Sequence, residues 1–337
     1  YTPHAVAKIM AAIMVEDGVQ NVSCYDPSAG SGTLLMNIAH AIGEDKCTIY
    51  SQDISEKSSG LLRLNLILNN LVHSIQNIIQ GNTISNPYHR KEDGTLETFD
   101  YIVSNPPFKL DFSDYSASLD TKANKDRFFA GIPKVPAKKK ESMAIYLLFI
   151  QHIMHSLSAK GKAAIVVPTG FITAQSGIDK KIRQKLVESK MLAGVVSMPS
   201  NIFATTGTNV SILFLDKTNT KDVVLIDASN LGTKVKEGKN QKTVLSPQEE
   251  ERISSVFNAK NVEEDFSVVV SYDDIKAKNY SLSAGQYFEV KIEYIDISAD
   301  EFSAKMNSFE SNLEKLFSES KVLEKEIQTN LKSLKYE

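Results

Sequence analysis

The sequence predicts an α/β fold in which helices cover both faces of a parallel sheet, followed by a long C-terminal helix. From residue 22 to about residue 216, short runs rich in β-branched residues alternate with helical patterns, as expected for a parallel sheet with helical crossovers. In the helical patterns, apolar residues recur at spacings of three and four. From residue 299, one such pattern continues to residue 334.

The predicted elements follow in order along the chain. Each predicted strand is a short apolar run, and each predicted helix is a longer segment with one apolar face. The predicted strands are residues 22–26, 48–53, 74–80, 101–104, 163–168, 192–197 and 210–215, and the predicted helices are residues 4–15, 33–42, 56–70, 142–157, 179–189 and 299–334. Residues 109–141 lack periodicity and are rich in Lys, Asp, Ser and Pro, which is typical of a functional loop.

Length and composition predict more than one structural part. A chain of 337 residues with 42% hydrophobic content suits a main domain with an appendage. We expect a main domain at 1–227, a mixed extension at 228–298 that begins with a polar surface segment, and an assembly helix at 299–337. The chain begins inside a motif-like segment and not with Met, so we expect an upstream region to be missing.

Charge and cysteine content limit the function classes. The formal net charge of −3 gives no overall attraction to nucleic acid, so such binding needs a local basic surface. Cys24 and Cys47 lie in apolar runs without metal-ligand or disulfide spacing, which favours a reducing, cytoplasmic location. No apolar stretch approaches the roughly 20 residues of a membrane span and no signal peptide opens the chain. We therefore expect a soluble protein that does not bind a membrane.

A glycine-containing turn follows the first predicted strand. Asp26-Pro27-Ser28-Ala29-Gly30-Ser31-Gly32 leads from this strand into a helix, where glycines allow a sharp turn and the close approach of a ligand. Asp53 ends the next strand about 20 residues later, where nucleoside-binding folds place the acidic residue that holds ribose hydroxyls. The lysine of a P-loop is absent, which favours a nucleoside without phosphates. The alternative is an ordinary strand-to-helix turn.

Asn105-Pro106-Pro107-Phe108 directly follows the predicted strand at 101–104, at the sheet edge where α/β proteins bind ligands. An exocyclic amine such as adenine N6 is a poor nucleophile, so it needs hydrogen-bond acceptors as its nitrogen becomes tetrahedral. Asn105 and the Pro106 carbonyl supply such acceptors, the prolines stiffen the loop, and Phe108 offers a face to an extruded base. These four residues are the catalytic candidates. The alternative is a surface turn with Phe108 in the core.

The turn from Asp26 to Gly32 resembles the first motif of amino-methylating DNA methyltransferases. Tyr1-Thr2-Pro3 resembles the segment that folds over the methionine part of the cofactor in that family, although Thr2-Pro3 also suits a helix start. The resemblance implies a Rossmann-like class I S-adenosylmethionine-dependent methyltransferase fold, with S-adenosylmethionine as the cofactor. The residues predicted to bind it are Tyr1, Thr2, Pro3, Asp26, Ser28, Gly30, Ser31, Gly32, Thr33, Leu34, Asp53, Ile54, Asn82, Thr83 and Asn105.

Four further segments extend the resemblance to DNA modification. Residues 126–131, 161–168, 182–186 and 199–203 recur in this order in the modification subunits of type I restriction systems. The resemblance implies methylation of adenine N6 in double-stranded DNA, no metal, and a specificity subunit and a restriction subunit as partners. The chain has Asn82 and Asp53 where this family usually has Asp and Glu. These departures affect the expected details of cofactor affinity, and Asn82 is expected to accept a hydrogen bond through its amide oxygen.

Two alternatives to this function remain open at the level of sequence. Asn-Pro-Pro-Phe is also similar to tetrapeptides of protein-glutamine and rRNA guanine-N2 methyltransferases, so these are the alternative enzymes. A DNA-binding assembly subunit without turnover is the alternative from another class.

A basic run lies in the loop at 109–141. We favour contact with DNA phosphates over a solvated surface, because the loop directly follows Phe108. The candidate DNA-binding residues are Arg127, Lys134, Lys138, Lys139 and Lys140. The six histidines show no clustering with carboxylates, so no metal site is expected.

The C-terminal pattern predicts an assembly helix. Its residues advance in alternating steps of four and three, the a/d seam of a coiled coil, which two polar residues interrupt. The seam positions are Phe302, Met306, Phe309, Leu313, Leu316, Ser320, Leu323, Ile327, Asn330 and Leu334. The resemblance implies the helices of a specificity subunit as the partner. Self-association and packing on the chain's own body are the alternatives.

Overall fold

The computed structural model describes residues 2–203, 209–237, 240–289 and 297–333. Contacts divide the chain into two compact units, Tyr1–Phe288 and Glu289–Glu337. The strands of the first unit are β1 (Val22–Asp26), β2 (Cys47–Asp53), β3 (Ile78–Gln80), β4 (Phe99–Ser104), β5 (Leu157–Pro168), β6 (Leu192–Ser197), β7 (Val210–Asp216), β8 (Val223–Asp227), β9 (Thr233–Glu237), β10 (Asn240–Val244) and β11 (Ser267–Val270). Its helices are α1 (His4–Met14), α2 (Thr33–Ile42), α3 (Glu56–Leu68), α4 (Ser113–Leu119), α5 (Tyr146–His155), α6 (Gly170–Thr173), α7 (Gly177–Glu188), α8 (Pro247–Ala259) and α9 (Tyr272–Ala277).

One nine-stranded sheet organises the first unit, in the order β11-β8-β6-β7-β5-β4-β1-β2-β3. β1 to β5 pair in parallel, with β4 and β5 on one side of β1 and β2 and β3 on the other. This is the strand order of doubly wound α/β folds, in which a crevice opens where the order reverses. The crevice lies at the carboxyl ends of β1 and β4, where both sequence motifs begin.

The predicted parallel direction is wrong for one predicted strand, β7, which runs antiparallel to β5 and β6. β11, which was not predicted from the sequence, is also antiparallel to its neighbour β8. A parallel return needs a crossover to the far end of the sheet, usually a helix. The described part of the connection at 198–209 contains no helix, so β7 returns in the opposite direction.

Helices cover both faces of the sheet, as predicted. α1, α2, α3 and α8 share one core with alternate strand residues such as Ala164 and Val166. α5, α6, α7 and α9 share the other core with the residues between them, such as Ile165. Side chains alternate between the two faces along a strand. Because both faces are buried, the strands are nearly continuous apolar runs in the sequence.

Several segments differ from the predicted elements, and the helix α4 lies within the predicted loop at 109–141. The strand expected at 74–80 is a 3-10 helix over Val72–Asn77 followed by the short β3. The buried Ser74 hydroxyl accepts the N–H of Ile49 in β2 at 2.9 Å, so a side chain takes the backbone donor that a longer β3 would need. β8 is an additional strand that was not predicted from the sequence, although residues 223–226 are a short apolar run. The segment at 228–246, expected to be a surface excursion, contains the hairpin β9–β10.

The second unit contains α10 (Ala299–Ser333), which confirms the predicted long helix. None of its described residues is buried, and Leu334 lies outside the described residues. The domain boundaries at 227/228 and 298/299 stay predictions; β11 and α9 belong to the sheet and core of the first unit. Within the described ranges, no helix combines the length and apolar character that crossing a membrane requires.

Candidate active site

Two glycines shape the turn between β1 and α2. Gly30 and Gly32 have φ values of 53° and 85°, in the left-handed region that favours glycine. A Cβ at Gly32 would also meet Leu62 Cδ1 on α3, so Leu62 would have to move to admit a side chain there. The Gly30 N–H donates to Asp53 Oδ2 at 2.9 Å. The turn after β1 is thereby joined to the end of β2.

The Asp53 carboxylate organises two loops at once. Its Oδ2 accepts the Gly30 N–H, and its Oδ1 accepts the Ser55 N–H at 2.8 Å, where α3 begins. Each carboxylate oxygen accepts more than one hydrogen bond. Asp53 therefore retains acceptor capacity for the hydroxyl groups of a ligand.

A buried polar chain connects the turn to the tetrapeptide. Asp26 is 1% exposed, and its Oδ1 accepts the Ser28 N–H at 2.9 Å. The Ser28 hydroxyl lies 2.7 Å from the hydroxyl of Ser104, the residue before Asn105. Burial raises the pKa of Asp26 to about 8, with a further contribution from the charge of Asp53, against the opposing hydrogen bonds from the two serines. Asp26 is thus held largely protonated near neutral pH.

The tetrapeptide begins where β4 ends. The Asn105 Nδ2 donates to Thr2 Oγ1 at 3.1 Å, and Thr2 is itself buried. This bond occupies the donor side of the amide and leaves its oxygen available. Pro106 is buried, whereas Phe108 is half-buried and meets Tyr146 edge to face, with ring centroids 6.2 Å apart.

A cavity of about 190 Å³ lies against these loops. Its wall combines residues from the turn after β1, the end of β2, the segment after β3, the tetrapeptide, the following loop and α5. The lining residues are Pro27, Ser28, Asp53, Ile54, Gly81, Asn82, Thr83, Ile84, Pro107, Leu110, Tyr115, Ile145 and Phe149. Apolar walls with a few polar groups are typical of sites for small molecules and cofactors.

Sequence reasoning missed the apolar side of this cavity. Leu110 and Tyr115 belong to the loop that the sequence marked as functional, but no pattern singled them out. Ile145 and Phe149 lie at the start of α5, where their spacing cannot be distinguished from that of core residues.

Asn82 and Thr83 line the cavity and also fix its backbone. Asn82 Oδ1 accepts the N–H groups of Ile84 and Ser85 at 2.9 and 3.2 Å. The expectation that this oxygen accepts a bond from the cofactor therefore needs correction, because two backbone donors already occupy it. The Thr83 hydroxyl donates to the Pro27 carbonyl at 2.7 Å, which ties the segment after β3 to the turn after β1.

The other residues predicted for cofactor binding lie around the same turn. Ser31 is part of the turn, and Thr33 begins α2. The side chain of Leu34 is buried in the core, which leaves only its backbone for a ligand contact. Pro3 is the N-cap residue of α1, and Tyr1 lies outside the described residues.

Arg127 is not a DNA contact. Its side chain is 3% exposed, and its guanidinium donates to the carbonyls of Thr83 and Ile84 at 2.7 and 2.8 Å. The prediction is wrong here because composition alone does not reveal that backbone carbonyls receive these donors. The remaining four candidates are exposed, and their contact with DNA stays a prediction; they are Lys134, Lys138, Lys139 and Lys140. No group of three His, Cys, Asp or Glu side chains in the described ranges is arranged to hold a metal ion.

We expect Asp26→Asn to change how the stability of the protein depends on pH. The pKa of Asp26 is about 8 in the folded protein, against a reference value of 3.8. Between these values the unfolded chain has lost a proton that the folded protein keeps. The free energy of unfolding that Asp26 contributes therefore falls with rising pH, by about 1.4 kcal/mol per pH unit.

The measurement is the free energy of unfolding of both proteins at several values between about pH 5 and pH 7. The amide in the variant would keep the acceptor for the Ser28 N–H without the titration, so the wild type should lose stability relative to the variant as pH rises. A constant difference across this range would show that Asp26 ionises alike in the folded and unfolded states.

Comparisons with known proteins give three findings. Residues 1–294 match the family described as N-6 DNA Methylase. The chain is 31% identical over 341 residues to the type I restriction enzyme MpnII methylase subunit of Mycoplasma pneumoniae, covering 96% of this chain and 60% of that protein. It is similar to the solved structure of the type I restriction-modification system methyltransferase subunit from Streptococcus thermophilus, with a TM-score of 0.72 and 26% identity over 86% of this chain and 59% of that chain.

The family match includes both motifs and the strands that carry them. The chain spans about 60% of the length of the relatives that it matches. With the match extending over most of its sequence, the chain belongs to the N-6 DNA methylase family.

Proposed function

We propose that this chain transfers a methyl group from S-adenosylmethionine to adenine N6 in double-stranded DNA, as the modification subunit of a type I restriction-modification system. The proposal rests mainly on Asn105 directly following Ser104, whose hydroxyl lies 2.7 Å from the hydroxyl of Ser28 in the glycine turn, at the crevice between β1 and β4. Family membership supports methylation of an amine in DNA. The names of both relatives support the assignment to a type I system.

The cavity has the features that the nucleoside part of this cofactor requires. Ile54, Leu110 and Tyr115 supply apolar contact for a purine ring, and Asp53 supplies an acceptor for ribose hydroxyls. When bound, the cofactor supplies an electrophilic methyl group on a positively charged sulfur. The Asp53 carboxylate also adds negative charge to the cavity wall, which favours a positively charged ligand.

Asn105 is oriented before any substrate arrives. Because its Nδ2 donates to Thr2, its Oδ1 remains as an acceptor for one amine hydrogen, and the Pro106 carbonyl is a second acceptor for the other. The substrate nitrogen gains positive charge as its bond to the methyl carbon forms and the bond from carbon to sulfur breaks. Preorganised acceptors stabilise that charge. The electron pair of the broken bond stays on sulfur, which becomes a neutral thioether, and the methylated amine loses one proton to solvent water.

Phe108 is suited to hold the base during this step. A base must leave the duplex to reach a deep site, and aromatic side chains stack on the extruded ring. The Phe108 ring packs edge to face against Tyr146. The ring is not fully buried, so part of its surface is available to a substrate.

Replacement of Asn105 by Ala tests the catalytic role. We expect methyl transfer to fall by about 100- to 1,000-fold, because an acceptor aimed at the developing charge is lost. Asn105 does not line the cavity proposed for the nucleoside part of the cofactor, so cofactor affinity, measured by calorimetry, should change far less than turnover. Asn258→Ala on α8 is the matched control, because it removes a surface asparagine whose partner is the Ala12 carbonyl. Wild-type turnover in the Asn105 variant would contradict the assignment.

The exposed lysines of the loop at 109–141 are proposed to contact DNA phosphates. Lys138, Lys139 and Lys140 are consecutive and exposed, and the loop begins directly after Phe108. The salt dependence of binding reports the number of phosphates that a protein neutralises. The overall charge of −3 makes such a local surface necessary.

Changing these three lysines to Gln should weaken DNA binding equally for all sequences. We expect the slope of log affinity against log salt to become shallower by about one for each lysine that contacts a phosphate. The control changes three exposed lysines elsewhere, and it should leave the slope unaltered; these are Lys160, Lys181 and Lys185. A wild-type slope in the loop variant would mean that its lysines are only solvated.

α10 is proposed to assemble with the helices of a specificity subunit. The large apolar seam side chains that the structure describes, from Phe302 to Ile327, are each more than 45% exposed, and Phe317 and Leu331 widen the apolar surface beside them. A helix of 35 residues is about 50 Å long. This length suits pairing with another long helix better than docking on a compact domain.

Leu313→Asp combined with Leu323→Asp should abolish co-purification with the specificity subunit, because both charges enter the seam. Cofactor binding by the chain should persist. Ser311→Asp combined with Ser318→Asp places the same charges on the opposite side of α10 and is the matched control. Assembly of the seam variant with wild-type affinity would refute the proposal.

A further inference from the structure

Arg127 is a buried cation with three hydrogen bonds to the protein interior. Its Nε donates to His152 Nδ1 at 3.1 Å, and its two terminal nitrogens donate to the carbonyls of Thr83 and Ile84. The guanidinium also lies 4.6 Å from the ring centroid of Phe128. A charge that is 3% exposed is tolerated only when its donors are satisfied in this way.

The two carbonyls belong to the wall of the cofactor cavity. Thr83 and Ile84 both line it, and the Thr83 hydroxyl is bonded from the other side to the Pro27 carbonyl. The segment is therefore fixed between Arg127 and the turn after β1. Its backbone has no strand partner of its own, since β3 ends at Gln80.

His152 and Tyr25 hold the guanidinium in turn. Because Arg127 is a donor, His152 Nδ1 must be the acceptor, and His152 Nε2 carries the proton that faces the Tyr25 hydroxyl at 3.3 Å. Burial and the charge of Arg127 lower the pKa of His152, which keeps this tautomer neutral. Tyr25 immediately precedes Asp26, so these hydrogen bonds connect Arg127 to the start of the turn after β1.

We propose that Arg127 is a positioning residue for the cofactor cavity, and that it couples the loop at 109–141 to cofactor binding by holding the carbonyls of Thr83 and Ile84. The inference rests on the proposed function. The planar guanidinium offers parallel donors that reach two neighbouring carbonyls at once, which the ammonium of a lysine does not do. Loss of these donors leaves two carbonyls without partners and releases the wall of the cavity.

The test compares Arg127→Met and Arg127→Lys with the wild type. Met removes the donors and keeps apolar bulk, whereas Lys keeps the charge without the planar fork. We expect the Kd for S-adenosylmethionine to rise about tenfold or more in Arg127→Met and by a smaller factor in Arg127→Lys. In kinetics, the KM for the cofactor should rise while kcat at saturating cofactor stays close to wild type. The salt slope of DNA binding should be unchanged in both.

Arg183→Lys is the matched control. Arg183 is equally buried and donates to the carbonyls of Phe171, Ala174 and Tyr280. These carbonyls do not belong to the wall of the cofactor cavity. This variant should unfold at a lower temperature with an unchanged Kd for the cofactor, which separates a positioning role from a purely structural one.

Wild-type cofactor affinity in folded Arg127→Met overturns the inference, as does a shallower salt slope with unchanged cofactor affinity. If Arg127→Met does not fold, Arg127→Lys decides, and a wild-type KM for the cofactor in that variant has the same meaning. If the wild-type chain itself fails to bind S-adenosylmethionine, the proposed function is contradicted and the inference falls with it.

Discussion

The parallel pairing of β1 with β4 is the contact on which the candidate site depends. Its register places Tyr25 opposite Ile102, so the turn after β1 and the tetrapeptide after β4 leave the sheet side by side. The contact between the Ser28 and Ser104 hydroxyls follows directly from this register. A slip of one residue would turn every side chain of β1 to the other face of the sheet. The two buried cores, one on each face, oppose such a slip.

Side chains bonded to backbone position the loops at this edge of the sheet. Asp53 holds the glycine turn, and Arg127 holds the segment after β3. Arg183 does the same for α6, the short helix after β5. Loops lack a ladder of hydrogen bonds, so buried polar side chains that are fully satisfied give them a single conformation. Burial of a charged group is unfavourable, and at Arg127 it lowers the pKa of the guanidinium to about 10.

Site residues could be predicted from the sequence where they form a contiguous motif, and could not be predicted where their role depends on tertiary contacts. The residues from Asp26 to Gly32 and from Asn105 to Phe108 could be predicted as site candidates because each motif is a contiguous segment, in which residue type and order indicate the turn and its chemistry. Arg127 could not, since its acceptors are backbone carbonyls about 40 residues away that any residue type supplies. The cavity wall formed by Phe149 was equally hidden, because a pocket residue and a core residue have the same helical spacing. The direction of β7 depends on a connection rather than on strand composition.

In the proposed mechanism, acceptors at the end of β4 activate an adenine amine in DNA. The most direct measurement is methyl transfer from labelled S-adenosylmethionine by the chain together with its proposed specificity subunit, offered DNA, rRNA and protein, followed by identification of the modified group. We expect label in DNA, on N6 of adenine. Label on a guanine of rRNA or on a glutamine side chain, with none in DNA, would contradict it.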